Sequence, residues 1–153
     1  MKYVVGFLFD LDCNVLLQLQ RKDKPYTGGH LNGIGGKVEI GETPNGAMRR
    51  EAREEADFVL PGDLRWQQFH YERHASGSEL YFYTAQLEWV FAPGRFGLPD
   101  GCATNPPREE LFIVSPREAM TDRAPYPQVP NLSYLLPMAL HWLRLPSERY
   151  LEG

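Results

Sequence analysis

Glu51, Glu54 and Glu55 are the residues whose types and spacing most invite chemistry. At positions i, i+3 and i+4 of a helix, their carboxylates project from nearly one face. Like charges placed this way destabilise a helix by roughly a few tenths of a kcal/mol per pair unless a cation sits among them. An all-oxygen donor set favours a hard ion, Mg²⁺ first and Mn²⁺ as a substitute, and Mg²⁺ is commonly shared between a few carboxylates, waters and substrate phosphates. The pattern therefore points to a phosphate-bearing substrate. Taken alone, a Glu-x-x-Glu-Glu run is more often a solvated acidic face, so the flanking residues must decide.

The elements that would position these carboxylates can be read from the chain. Thr43 as N-cap and Pro44 at the first helical position predict a helix from Pro44 to about Ala56. Asp57 follows it where Gly is the usual stop. Upstream, residues 3–9 are β-branched and aromatic, Asp12-Cys13-Asn14 supplies turn chemistry, and residues 15–20 alternate, which together predict a hairpin. Residues 21–33 are loop-like, Gly35 and Gly36 continue the glycine-rich approach, and a short strand is expected at Lys37-Val38-Glu39. Downstream, residues 64–72 and 79–90 read as paired strands around a turn at 75–78. Residues 91–107 read as a long irregular loop and candidate lid, 111–114 as a strand and 116–120 as a helical turn. Residues 131–143 read as a terminal helix, in which Pro137 should cause a kink or mark a late first turn.

Counted from Gly36, five residues precede Glu42 and seven more precede Arg50; then come Glu51, Ala52, Arg53, Glu54, Glu55, Ala56, Asp57 and Phe58. The string resembles the signature of the Nudix hydrolases, G-x5-E-x7-R-E-U-x-E-E-x-G-U with U apolar, and departs from it only where Asp57 replaces Gly. Asp tolerates a left-handed backbone better than most residues, so local strain is expected there rather than lost chemistry.

The resemblance implies a single Nudix domain over residues 1–153, an α/β/α sandwich with a mixed β-sheet and a catalytic loop-helix. It implies that Glu51, Glu54 and Glu55 bind Mg²⁺, or Mn²⁺, with the backbone carbonyl of Gly35 or Gly36 as a further ligand. Arg50 would orient the glutamates, Glu42 would brace the loop, and Glu110, before a late strand, would complete the metal cluster. Which glutamate acts as general base is left open. The implied reaction is hydrolysis of a nucleoside diphosphate-linked substrate, foremost a nucleoside triphosphate, modified or not, cut to the monophosphate and pyrophosphate. Nucleotide sugars, dinucleoside polyphosphates and capped RNA are alternatives, as is a nucleotide sensor without catalysis, which usually has a degraded signature.

The flanks bear on the substrate. The string from Leu31 to Glu39 is similar to the matching loop of Nudix enzymes that act on oxidised purine nucleoside triphosphates, which implies that Asn32 hydrogen-bonds a base and Tyr26 stacks on it. Stacking of this kind is worth about 1–3 kcal/mol per base. Lys37 would reach a phosphate as a point charge. The segment around Asn131 is similar to the same subgroup's late helix start, but Asn131 and Leu132 stand where that subgroup carries two acidic residues, which puts the choice of base in doubt.

Other readings are weaker. A net charge of −4 argues against long nucleic acid as a partner and leaves a small nucleotide met by local cations and metal. No apolar run approaches the ~18 residues of a membrane span, so no membrane partner is expected and the cytoplasm is the default location. Oligomeric state is not legible. Cys13 and Cys102 are far apart and read as structural thiols. Asp10 and Asp12 resemble the opening of a haloacid-dehalogenase phosphatase but lack the Gly-Thr that should follow, and a hairpin turn explains both. His70 and His74 lie on a predicted strand and turn, where zinc ligation has no third partner.

Overall fold

The structure, a computed structural model, describes residues 1–55, 60–91, 111–120 and 126–144. Asp57, Phe58, Cys102, Glu110 and all of the expected loop beyond Phe91 lie outside the described residues.

The hairpin forms as expected, from β1 (Lys2–Phe9) and β2 (Val15–Leu19), paired antiparallel through Leu8–Leu16 and Phe9–Val15. Beyond that short ladder the two strands part. The chain returning from the loop fills the gap between them. β3 (Leu31–Asn32) pairs with β2, and β4 (Ile34–Lys37) pairs with β1 through Val5–Gly35 and Val4–Gly36. The glycine pair therefore belongs to a strand, and the strand expected over residues 37–39 lies earlier in the chain. Close approach explains why glycine is needed: a Cβ on Gly35 would strike the Val4 carbonyl oxygen.

α1 (Pro44–Glu55) starts where the sequence predicts, with the Gly46 N–H donating to Thr43 Oγ1 at 3.0 Å. β5 (Gln67–Arg73) and β6 (Glu79–Gln86) pair antiparallel with an irregularity between Gln68 and His70, and both are shorter than expected. Leu64 instead donates its N–H to the Pro61 carbonyl in a turn at 3.1 Å. β6 also runs parallel to β1 along its whole length, from Lys2–Glu79 to Phe9–Gln86. β7 (Leu111–Val114) pairs antiparallel with the other edge of β2. The sheet is thus mixed, and α2 (Pro116–Met120) and α3 (Leu132–Arg144) follow it. Pro137 lies inside α3, past its first turn, and the helix continues through it with the ring exposed.

Alternation along β1 divides the core into two layers. Val4 and Leu8 pack with Ala47, Met48 and Ala52 of α1 on one face. Val5, Phe7 and Phe9 pack with Leu132, Leu135, Leu136 and Ala139 of α3 on the other. Helices on both faces of a mixed sheet give the expected α/β/α sandwich.

Candidate active site

α1 is short and shows its apolar side to the sheet, which leaves its charged side beside β4 and the turn leading into the helix. Arg50 organises that side. Its Nε donates to Glu42 Oε2 at 2.8 Å and its Nη2 to Glu42 Oε1 at 3.0 Å, a two-bond fork that only a planar guanidinium can make. Nη1 donates to Glu51 Oε1 at 2.9 Å and Glu54 Oε2 at 3.3 Å, and Nη2 also donates to the Lys37 carbonyl at 3.0 Å. The hydrogen bonds from Arg50 first, then from the Glu39 N–H, hold the Glu42 carboxyl below the usual range. The Glu42 bond in turn raises the Arg50 guanidinium further above its ordinary value.

Glu51 is drawn inward, its side chain only 12% exposed. Its carboxylate occupies the space a Cβ on Gly36 would take, so the glycine makes room for the acid. Glu55 Oε2 accepts from the Gly35 N–H at 3.4 Å, which joins the helix's last turn to β4. Among the described residues, no three acidic, His or Cys side chains converge closely enough to hold an ion as they stand. Repelling carboxylates spread over the nearest donors, here Arg50 and Gly35. In kind the donors nevertheless fit a hard divalent cation, because all are oxygens. They rise from adjacent turns of one helix against the backbone of Gly35 and Gly36.

An open cavity of about 880 Å³ begins at Gly35 and Gly36 and extends over the α3 side of the sheet. Asn32 and Tyr26, the residues the flanking resemblance singles out, line it. Asn32 Oδ1 accepts from the Gly33 N–H at 2.8 Å, and its Nδ2 has no protein partner among the described residues. Tyr26 stands fully exposed at the rim with φ of 68°. Lys37 and Asn131 are not among the lining residues; Lys37 is exposed at the end of β4, and Asn131 caps α3 through its carbonyl, 3.0 Å from the Leu135 N–H.

Sequence reasoning missed the opposite wall. His74, Ser76 and Ser78 line the cavity from the β5–β6 turn. His74 Nε2 lies 3.3 Å from Glu72 Oε2, while Glu72 Oε1 lies 3.2 Å from His70 Nε2 and accepts from Tyr134 Oη at 2.8 Å. His70 and His74 thus share the Glu72 carboxylate. Nothing local marks these residues as cavity walls, because only the long-range β1–β6 pairing brings the turn across.

The NUDIX domain family model matches residues 2–131. Over 64 residues the chain is 38% identical to the 8-oxo-dGTP diphosphatase of Haemophilus influenzae, a match that covers 41% of this chain and 46% of that protein, under half its length. A mutT/nudix family protein from Listeria innocua superposes with a TM-score of 0.64 at 16% identity, covering 99% of this chain and 97% of that one. The NUDIX domain of NrtR from Shewanella oneidensis, crystallised with ADP-ribose, gives 0.61 at 20% identity, covering 94% of this chain and 88% of that one. These two structures speak to the fold, while the family model spans most of the sequence and includes the Arg50 fork and the carboxylate helix. The chain belongs to the Nudix domain family.

Proposed function

We propose that this protein is a divalent-metal-dependent pyrophosphohydrolase that converts a nucleoside triphosphate to the monophosphate and pyrophosphate, with Mg²⁺ or Mn²⁺ as its ion. The observation that carries the reading is the contact of the carboxylate helix with β4 at Gly35 and Gly36, at the mouth of the large cavity. The cavity is large enough for a nucleoside, and Gly35 and Gly36, which line it, are the strand residues that the carboxylate helix meets. The relative named as an 8-oxo-dGTP diphosphatase supports a triphosphate substrate.

Each residue then has a physical task. Glu51, Glu54 and Glu55, with a backbone carbonyl of Gly35 or Gly36, would hold the cation, and Glu110 is proposed to complete the set. When bound, the ion supplies charge neutralisation at the phosphates and activates water toward phosphorus. Arg50 orients Glu51 and Glu54 and is itself fixed by Glu42. Asn32 offers Nδ2 to a base acceptor, and Tyr26 offers its ring as a stacking platform. Lys37 and Asn131 are proposed as outer contacts, for phosphate and base respectively.

The test is turnover of a panel of unmodified, oxidised and methylated nucleoside triphosphates with Mg²⁺ or Mn²⁺, with products separated by chromatography. Monophosphate and pyrophosphate are expected from the parent, and Glu54→Gln should be slower by about 10²-fold or more. No turnover of any nucleotide, or a Glu54→Gln variant as fast as the parent, sinks the proposal.

A further inference from the structure

A second cavity of about 600 Å³ adjoins the first, lined by Arg21, Lys22, Lys24, Gln18, Gln20 and Glu55. Gln20 and Lys24 line both cavities and separate them. The Gly35 N–H bond to Glu55 Oε2 lies where the two meet, since Gly35 lines the first and Glu55 the second. The Gly35–Glu55 contact therefore stands between two chambers of different character. The first is walled mainly by apolar and neutral polar residues, with His74 and the shared Lys24, whereas the second adds Arg21 and Lys22 to Lys24 and sets three cations against one acid in a chain whose net charge is −4.

The cations are available for a ligand. Arg21 has an ion pair with Asp23 at 3.5 Å, but both side chains are more than two-thirds exposed, and such pairs are weak. Lys24 donates to Gln20 Oε1 at 3.1 Å, a neutral partner that leaves its charge uncompensated. Lys22 is exposed beside them.

We infer that the second cavity is the leaving-group site and that it selects a polyphosphate over a sugar phosphate. This rests on the hydrolysis proposed above and deepens it. With the nucleoside in the first chamber, the scissile anhydride lies at the Gly35–Glu55 junction. The water oxygen bonds to phosphorus and the bridging P–O bond breaks. The electron pair departs with the chain of phosphates into the basic chamber, and the proton released from the water passes to product or solvent. A polyphosphate there accepts charge-assisted hydrogen bonds from Arg21, Lys22 and Lys24. A nucleoside diphosphate sugar releases a sugar phosphate, which carries one phosphate fewer than pyrophosphate and less charge, and gains less from the three cations, so nucleoside diphosphate sugars are the poorer substrates. Pyrophosphate and a longer leaving polyphosphate share this chemistry, and substrate arms separate them.

The experiment uses Arg21→Gln/Lys22→Gln, because these side chains line only the second chamber and are exposed, with Lys22→Gln alone as a second variant. Inorganic pyrophosphate and nucleoside monophosphate are titrated calorimetrically into parent and variants with Mg²⁺ present. Pyrophosphate binding to the parent is expected to weaken by about tenfold or more in the double variant, as two charge-assisted contacts are lost. Monophosphate binding should change less than about twofold, as befits a site lined by other residues. No pyrophosphate binding by the parent, or equal binding by parent and variants, overturns the inference. In the turnover arm, a triphosphate favoured over a dinucleoside polyphosphate assigns the site to pyrophosphate, the reverse order assigns it to a longer chain, and preference for a nucleotide sugar overturns the inference. Because binding is read without turnover, failure of the hydrolysis proposal is distinguishable: pyrophosphate still binds the parent while no nucleotide is cleaved.

Discussion

The carboxylate of Asp10, in the β1–β2 turn, accepts a hydrogen bond at 3.0 Å from the backbone N–H of Phe91, eighty-one residues away. The Asp10 side chain is fully buried, and its other contacts are local: Oδ1 takes the N–H groups of Asp12 and Asn14, and Oδ2 takes Asn14 Nδ2, all at 2.9 Å. One acid thus closes the hairpin and pins the segment after β6 to it. Four donors depend on it, and each buried donor left unmatched costs about 1–3 kcal/mol. Asp10→Ala should therefore lose roughly 2–4 kcal/mol in urea unfolding, less than the full sum because some donors will reach water. Asp10→Asn keeps the Oδ1 bonds but turns an amide donor toward Phe91, so it should fall between Ala and the parent.

The two adjacent glycines of β4 should fail in different ways. A Cβ on Gly35 meets the backbone of Val4, which cannot move without breaking the β1–β4 ladder. Gly35→Ala should cost about 1–3 kcal/mol of stability, as overpacking against fixed atoms does. The atoms nearest a Cβ on Gly36 are all at the end of the Glu51 side chain, which can rotate away. Gly36→Ala should leave the melting temperature nearly unchanged and weaken Mg²⁺ activation by about 10–100-fold, the range seen when a supporting contact of a metal ligand is lost. Unfolding and metal-titrated turnover, measured on both variants, check the contrast.

That contrast also shows what was legible before the structure. The helix start at Thr43 and the carboxylate face depend on residues a few positions apart, so local rules reach them. The placement of Gly35 and Gly36 in a strand depends on β1 and β2 parting, which no local pattern records. Glycine-rich sequence reads as loop, yet here it is glycine that permits the strand. The cavity shows the same division. Asn32 and Tyr26 lie in the approach loop whose resemblance singles them out, while His74 and Ser78 reach the cavity only because β6 runs parallel to β1.

That shared carboxylate, Glu72, predicts a pH dependence of stability. Burial pushes its carboxyl up, but hydrogen bonds from Tyr134, His74 and His70 together outweigh burial, and the group titrates below its ordinary value of 4.5. The folded protein therefore binds this proton less readily than the unfolded chain. The stabilisation is complete above pH 4.5 and is lost as pH falls through the lowered folded value. Glu72→Gln removes the titration. The gap in unfolding free energy between parent and variant should be constant at neutral pH and shrink on acidification; a gap that widens below pH 4.5 contradicts the assignment.

Tyr26 predicts a trade between stability and binding. It is a bulky residue held at φ 68° with its ring wholly in solvent, so no side-chain packing among the described residues offsets a backbone strain of about 1–2 kcal/mol. Gly removes that strain but adds freedom to the unfolded chain, worth roughly 0.5–1 kcal/mol. The balance favours the variant, and Tyr26→Gly should be more stable than the parent by about 0.5–1 kcal/mol. Loss of the stacking ring should at the same time weaken nucleotide binding by about 1–3 kcal/mol, a rise in KM of roughly five- to 150-fold. Tyr26→Ala separates the two effects, since it loses the ring and keeps the strain: it should bind as poorly as the glycine variant with no gain in stability. Equal nucleotide binding by all three proteins would show that the strained conformation serves the loop and not the ligand.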